Sequence, residues 1–298
     1  MRHRRGGIVN MGYTEHRFRA QDGLELYYRD YGDRLETTTP VLCLAGLTRN
    51  AVDFHDLALH LCPRRRVISL DLRGRGRSEY DPNPNNYTPH TYLSDISHLL
   101  TVTNCHKIIV IGTSLGGLIA MALGAVRATA LAGVVLNDIG PEIDPAGVAR
   151  ISSYAGKSPS AMNLDQAAEH MEHLFAAAYP DYNTAQWREE AERGLRKRED
   201  GLLVIDYDPA IAKNAAEQED NPQGFWPYFN SLAHIPVLAL RGELSDILNT
   251  ATFEAMAKAK PDLIQVTVPN RGHTPNLSEP ACIEAIDAFL EAHGNIAH

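Results

Sequence analysis

A serine between two glycines is the residue of this sequence best suited to nucleophilic chemistry. Ser114 lies in the run Gly112-Thr113-Ser114-Leu115-Gly116. Glycines two residues before and after a serine remove the side chains that would clash in a sharp turn from a strand to a helix. A serine exposed on such a turn can attack a carbonyl carbon if a neighbouring base accepts its proton. The pattern therefore predicts Ser114 as a catalytic nucleophile on a nucleophile elbow.

A histidine and an aspartate later in the chain could activate this serine. His273 follows the last predicted strand, and Asp246 follows the strand before it. Because the carboxyl ends of parallel strands lie at one edge of a sheet, both side chains can converge on Ser114. His273 would accept the serine proton, and Asp246 would fix the imidazole tautomer. Asp138 also follows a buried strand and is the alternative acid, although it could instead cap the next segment.

Two backbone N–H groups are predicted to form an oxyanion hole. Leu115 directly follows Ser114 at the start of the predicted helix, where the helix dipole favours negative charge. Leu47 follows Ala45-Gly46 after another buried strand and would supply the second donor.

An alternation of strands and helices is predicted to position these residues. Ile108-Ile109-Val110-Ile111 precedes the Ser114 turn, and apolar residues recur at helical spacing from 118 to 126. Runs that are apolar throughout are typical of strands buried on both faces. Further strands are predicted at 40–44, 66–70, 131–136, 235–240 and 263–268, and most of these runs are apolar throughout. The sequence thus predicts an α/β fold with a mostly parallel, doubly wound sheet.

Residues 137–234 interrupt this alternation, with several helical patterns and no clear buried strand. We therefore predict a core of residues 14–136 and 235–298, a helical cap of residues 137–234, and a disordered extension of residues 1–13. Within the cap, the aromatic side chains of Trp226, Tyr228 and Phe229 lie in a loop bounded by prolines. They are predicted to bind substrate, and packing of the insertion onto the sheet is the alternative.

Composition limits the partners. The formal charge of -9 over 298 residues disfavours nucleic acid and anionic membrane surfaces. No apolar run approaches the roughly 18 residues of a membrane span, and no apolar segment of a signal peptide follows the basic start. The four cysteines form no C-x-x-C pair, so no metal site, cofactor or disulfide framework is expected. We expect a cytoplasmic protein whose partner is a small-molecule substrate.

The motif Asp71-Leu-Arg-Gly-Arg-Gly-Arg-Ser78, taken with the elbow and the Ser, Asp, His order, resembles the α/β-hydrolase superfamily. The resemblance extends from about Thr14 to the end of the chain. It implies a nucleophile at Ser114, an acid at Asp246, a base at His273 and a helical cap inserted before the strand that carries the acid. One departure concerns the oxyanion loop, where the family's His-Gly is replaced by Ala45-Gly46.

The resemblance covers several reactions. Epoxide hydrolases and haloalkane dehalogenases of this branch use an aspartate nucleophile, and this chain has Ser114 instead. The expected function is hydrolysis of a carboxylic ester or lactone, with a largely apolar substrate, through an acyl-enzyme. Two alternatives stay open: a carbon–carbon bond hydrolase acting on a ring-cleavage diketone, and a ligand receptor on the hydrolase scaffold.

Overall fold

Strands and helices alternate through most of the chain in a computed structural model that describes residues 12–215 and 224–294. The strands are β1 (Tyr13–Arg19), β2 (Glu25–Tyr31), β3 (Val41–Leu44), β4 (Val67–Leu70), β5 (Ile108–Thr113), β6 (Leu131–Asn137), β7 (Leu195–Lys197), β8 (Leu203–Ile205), β9 (Val237–Gly242) and β10 (Ile264–Val268). The helices are α1 (His55–Leu61), α2 (Pro89–Val102), α3 (Leu115–Arg127), α4 (Pro145–Tyr154), α5 (Leu164–Phe175), α6 (Thr184–Gly194), α7 (Ile211–Ala215), α8 (Trp226–Asn230), α9 (Thr250–Ala259) and α10 (Pro280–His293).

Eight of these strands form one sheet in the order β1-β2-β4-β3-β5-β6-β9-β10. The pairs β1–β2 and β2–β4 are antiparallel, and all other neighbours are parallel. The Ser114 turn follows β5, and the loops after β6, β9 and β10 begin beside it at the same edge. The predicted α/β fold with a mostly parallel sheet is confirmed.

Both faces of the sheet are covered, as the fully apolar strands predicted. Along β5, Val110 belongs to one buried cluster, together with residues of α2, α3 and α9. Its neighbours Ile109 and Ile111 belong to the cluster on the other face, together with residues of α1 and α10. Successive side chains of a strand point to opposite faces, so a strand covered on both sides needs apolar residues at every position.

The turn at Ser114 is as sharp as its glycines predicted. Ser114 has φ 50° and ψ −115°, a backbone conformation that residues other than glycine rarely adopt. A Cβ atom added to Gly116 would lie 2.0 Å from the carbonyl oxygen of Leu44, and one added to Gly112 would lie 2.4 Å from the backbone of Gly116. Only glycine at 112 and 116 lets α3 begin this close to β3 and β5.

The insertion between β6 and β9 is largely helical and has a small core of its own. Helices α5 and α6 pack together, and their buried side chains include Met171 and Trp187. The insertion also contains a short antiparallel hairpin, β7–β8, which the sequence pattern did not indicate. Its two strands have three residues each, too few for a periodicity to be recognised. The division of the chain at 137 and 234 stays a prediction.

Two further predictions concern the N-terminal extension and membrane-spanning helices. Residues 1–11 of the predicted disordered extension lie outside the described residues, and Tyr13 begins β1. Within 12–215 and 224–294, none of the helices has the length and apolar character needed to cross a bilayer.

The close approach at the elbow leads to a stability prediction. Gly116→Ala should lower the free energy of unfolding by about 3 kcal/mol or more, because the new methyl group overlaps the Leu44 carbonyl. Gly201→Ala is the matched control, since Gly201 has φ +84° but nothing within 4 Å of an added Cβ. Its cost should be about 1 kcal/mol, from backbone strain alone. Equal costs in urea denaturation would contradict the steric explanation.

Candidate active site

Three side chains from three separate loops form a continuous line of hydrogen bonds. The Nε2 atom of His273 lies 3.0 Å from the Ser114 hydroxyl, and its Nδ1 atom lies 2.7 Å from Oδ2 of Asp138. A carboxylate only accepts hydrogen bonds, so Nδ1 carries a proton and donates it to Asp138. Nε2 of the neutral ring is then left to accept the hydroxyl proton of Ser114.

Asp138 directly follows β6 and is fully buried. Its Oδ1 atom accepts the backbone N–H of Gly242 at 2.7 Å, and its Oδ2 atom also accepts the hydroxyl of Ser245 at 2.6 Å. Three donors therefore hold this carboxylate in one orientation toward His273.

The prediction that Asp246 orients His273 is wrong. Asp246 instead forms a bidentate ion pair with Arg150 of α4, with a distance of 2.8 Å between Nη2 and Oδ1. This ion pair lowers the pKa of Asp246 against the opposing effect of burial. Because β6 and β9 are neighbours in the sheet, the loops after both strands reach His273. In the loop after β9, the residue that contacts Asp138 is Ser245, whose hydroxyl donates a hydrogen bond to it.

The predicted oxyanion donors both lie next to Ser114. Leu115 is the first residue of α3, and a Cβ atom added to Gly46, just before Leu47, would lie 3.7 Å from the Ser114 Cβ. Within the described part of the chain, neither the N–H of Leu47 nor that of Leu115 has a hydrogen-bond acceptor. The assignment of these two groups to an oxyanion hole stays a prediction.

A buried arginine supports the loop that carries Leu47. Arg75 is completely buried, and its Nε atom donates to the carbonyl oxygen of Leu47 at 2.6 Å. Its guanidinium group lies over the ring of Tyr92, 5.2 Å from the centroid. The family's polar side chain is absent at Ala45, and Arg75 supplies a hydrogen bond to the same loop. Arg75 had no predicted role, although the residue lies inside the Asp71–Ser78 motif.

Two carboxyl groups hold the next residues of the same loop. Asp71 accepts the backbone N–H of Ala51 at 2.6 Å, and Asp206, which follows β8 in the insertion, accepts the side-chain amide of Asn50 at 2.8 Å. Burial raises the pKa of Asp71 to about 6. Burial, and secondarily the negative charge of Asp71, raise the pKa of Asp206 to about 7.

Ser114 and His273 open into a cavity of about 100 Å³ between the sheet edge and the insertion. Its apolar wall includes Ile151, Phe175 and Trp187 from three helices of the insertion. The charged side chains of the wall are Arg49, Asp53, Glu190 and Arg193.

Most of the charge in this wall is already neutralised. Arg49 donates to Asp53 at 2.6 and 2.8 Å and to Glu190 at 3.2 Å. Arg193 donates to Asp56 at 2.6 Å. Ion pairs of this kind reduce the attraction of the arginines for an anionic group placed at Ser114.

The prediction that Trp226, Tyr228 and Phe229 bind substrate is wrong. They form α8, which packs on α3. Phe229 is buried in the main core, the indole of Trp226 donates to Glu142 at 2.6 Å, and Tyr228 is exposed. None of the three lines the cavity at Ser114. The second interpretation, packing against the sheet layer, is the correct one, and Trp187 is the tryptophan in the cavity wall.

Comparisons with known proteins agree with this architecture. A family model described as "Alpha/beta hydrolase family" matches residues 41–282. A 3-hydroxybutyrate-oligomer hydrolase of Cupriavidus necator is 32% identical, covering 88% of this chain and 92% of its own. A 2-(acetamidomethylene)succinate hydrolase of Mesorhizobium japonicum is 28% identical, and the match covers 85% of this chain and 88% of that relative. The crystal structure of an alpha/beta hydrolase from Novosphingobium aromaticivorans superimposes with a TM-score of 0.88 and 41% sequence identity. The match covers 96% of this chain and 99% of that chain.

The raised pKa of Asp206 predicts a pH-dependent stability. The ordinary pKa is 3.8, and the folded value is about 7, so the folded state binds more protons between about pH 4 and pH 7. The contribution of Asp206 to stability is present at low pH and is lost as the pH rises through this window. In Asp206→Asn, the free energy of unfolding relative to wild type should therefore increase from pH 4 to pH 7. It can be measured by urea denaturation at each pH.

Asp165→Asn is the control for this measurement, because Asp165 lies on α5 with 70% of its side chain exposed. The change in the difference from wild type across the window should be larger for Asp206→Asn than for this control. A constant difference for Asp206→Asn would contradict the assigned burial effect.

Proposed function

The chain belongs to the alpha/beta hydrolase family, and on this basis we propose that it hydrolyses a carboxylic ester or lactone through an acyl-enzyme at Ser114. The observation that carries the proposal is the hydrogen-bonded line from Ser114 through His273 to Asp138, which opens into a largely apolar cavity. A buried carboxylate, an imidazole and a serine hydroxyl in this order form the arrangement required for acyl transfer.

The geometry supports a two-step reaction. Ser114 attacks the ester carbonyl while Nε2 of His273 accepts its proton, and Asp138 stabilises the resulting imidazolium. The N–H groups of Leu47 and Leu115 stabilise the oxyanion. His273 then returns the proton to the leaving alcohol, and a water molecule, activated by the same imidazole, hydrolyses the acyl-enzyme. For a lactone, the leaving alcohol stays attached to the acyl group.

The cavity favours a small, largely apolar acyl group. A volume of about 100 Å³ beside Ser114 accommodates a group of a few carbon atoms, and aromatic side chains form much of its wall. The name of the Cupriavidus necator relative specifies an oligomer of 3-hydroxybutyrate, in which short hydroxy acids are joined by ester bonds. That substrate class is compatible with the cavity and extends the proposal to short oligoesters.

Carbon–carbon bond hydrolysis of a ring-cleavage product is the weaker alternative. Such a substrate carries a carboxylate close to the reacting carbonyl and needs a free basic group there. Arg49 is paired with two acids, Arg73 is completely buried and bonded to Asp95, and Arg241 donates to a backbone carbonyl. None of these three arginines is free to bind a carboxylate at Ser114.

The position of the acid can be tested by two matched substitutions. Asp138→Asn should lower kcat by about 10⁴-fold, because an amide at this position favours the wrong imidazole tautomer. Asp246→Asn should keep kcat within about tenfold of wild type, since it removes only an ion pair to Arg150. Steady-state kinetics should be accompanied by circular dichroism to show that both variants fold. If Asp246→Asn lowered kcat more than Asp138→Asn does, Asp246 would be the acid that orients His273.

A substrate panel separates the reaction classes. Wild-type enzyme should cleave short-chain aryl esters or lactones with a higher kcat/KM than a ring-cleavage dienol acid. Ser114→Ala should lose activity by roughly 10⁴- to 10⁶-fold. Efficient cleavage of the dienol acid without esterase activity would favour carbon–carbon hydrolysis. Binding of an ester without turnover, equal in wild type and Ser114→Ala, would favour a receptor.

A further inference from the structure

A second, larger cavity adjoins the one at Ser114. It has a volume of about 330 Å³ and shares Thr48, Arg49, Tyr154 and Phe175 with the first cavity. Because these four residues line both spaces, the two cavities adjoin, and the larger one lies next to a substrate whose reacting carbonyl is at Ser114. We call this larger space the distal chamber.

The distal chamber is lined mainly by the insertion, and most of its wall is apolar. Met171, Leu174 and Phe175 extend from α5, and Leu195 and Ile205 come from the β7–β8 hairpin. The chamber therefore suits a hydrocarbon chain rather than a strongly hydrated group along most of its length.

The basic side chains of this chamber have no acidic counterpart in its described wall. Arg49, Lys157 and His170 contribute to its wall, and no aspartate or glutamate does so among the described residues. This is unusual for a protein with a formal net charge of -9. Arg49 is neutralised by its two acid partners at the boundary with the first cavity. Lys157 and His170 form no ion pair or side-chain hydrogen bond within the part of the chain that the structure describes.

We infer that the distal chamber binds the carboxylate end of an ester substrate through Lys157 and His170. The inference rests on the proposed function and specifies the substrate class as a short ester that ends in a free carboxylate. The apolar wall packs against the intervening carbon chain, and the two basic side chains in the wall bind the acid group. The Coulomb attraction between a carboxylate and a positively charged side chain is stronger in a partly apolar chamber than in water.

The two basic residues have different roles in this arrangement. Lys157 follows α4 and is exposed, so its ammonium group supplies a full positive charge at the chamber opening. His170 lies on α5 and is partly buried. Burial, with a smaller effect of the nearby His173, lowers the pKa of His170, which therefore acts at neutral pH mainly as an N–H donor.

The test compares two substrates that differ only in charge. One is the linear dimer of 3-hydroxybutyrate with a free carboxylate, and the other is the same dimer as its primary amide. Wild-type enzyme should have a kcat/KM for the free acid about tenfold above that for the amide, mainly through KM. In Lys157→Met combined with His170→Gln, this ratio should fall to about one. Lys107→Met, at an exposed lysine outside both cavities, should keep the wild-type ratio.

The outcomes separate this inference from the proposed function. If wild-type enzyme cleaves both dimers equally well, or if the double variant keeps the wild-type preference, the carboxylate site is wrong and the esterase proposal stands. If wild-type enzyme cleaves neither dimer nor a neutral aryl ester, both proposals are wrong. A loss of the preference in Lys107→Met would also overturn the inference, because the effect would then be one of overall charge.

Discussion

The strained turn at Ser114 is the constraint on which the candidate site depends. A residue with a side chain costs about 1–3 kcal/mol in such a backbone conformation. The turn persists because β5 and α3 on either side of it are buried in the two main clusters. Glycine at 112 and 116 allows the backbones to approach closely enough for this packing. The result is a hydroxyl at the carboxyl edge of the sheet, within 3.0 Å of an imidazole.

The loop that carries Leu47 is held from both sides of the molecule. Arg75 and Asp71 bind it from the β4 side, and Asp206 binds it from the insertion. A loop with these anchors is pre-organised, so its N–H groups need little reorganisation when negative charge develops beside Ser114. The hydrogen bond from Asn50 to Asp206 also connects the Leu47 loop to the insertion, whose helices line the cavity.

Charge is distributed differently in the two connected cavities. Beside Ser114, the arginines are paired with acids, and the space left for substrate is small and largely apolar. In the distal chamber, Lys157 and His170 have no acidic neighbour in the described wall. This separation keeps strong positive charge away from the reacting carbonyl. It also allows a polar end group to be recognised at a distance.

The sequence by itself determined the elements whose signals are local. Ile108-Ile109-Val110-Ile111, followed by glycines at 112 and 116, specifies a buried strand and a sharp turn, because both depend on neighbouring residues alone. His273 was identifiable because it follows the last apolar run of the core.

The tertiary structure decided whatever depends on which distant segments meet. Asp138 and Asp246 both follow buried strands, and only the packing of the two loops places Asp138 against His273 and Asp246 against Arg150. Similarly, Trp226 packs with the sheet layer while Trp187 lines the cavity. A pattern of apolar residues shows that a side chain is buried, but the contacts it makes are set by the arrangement of helices in the insertion, which involves residues far apart in the chain.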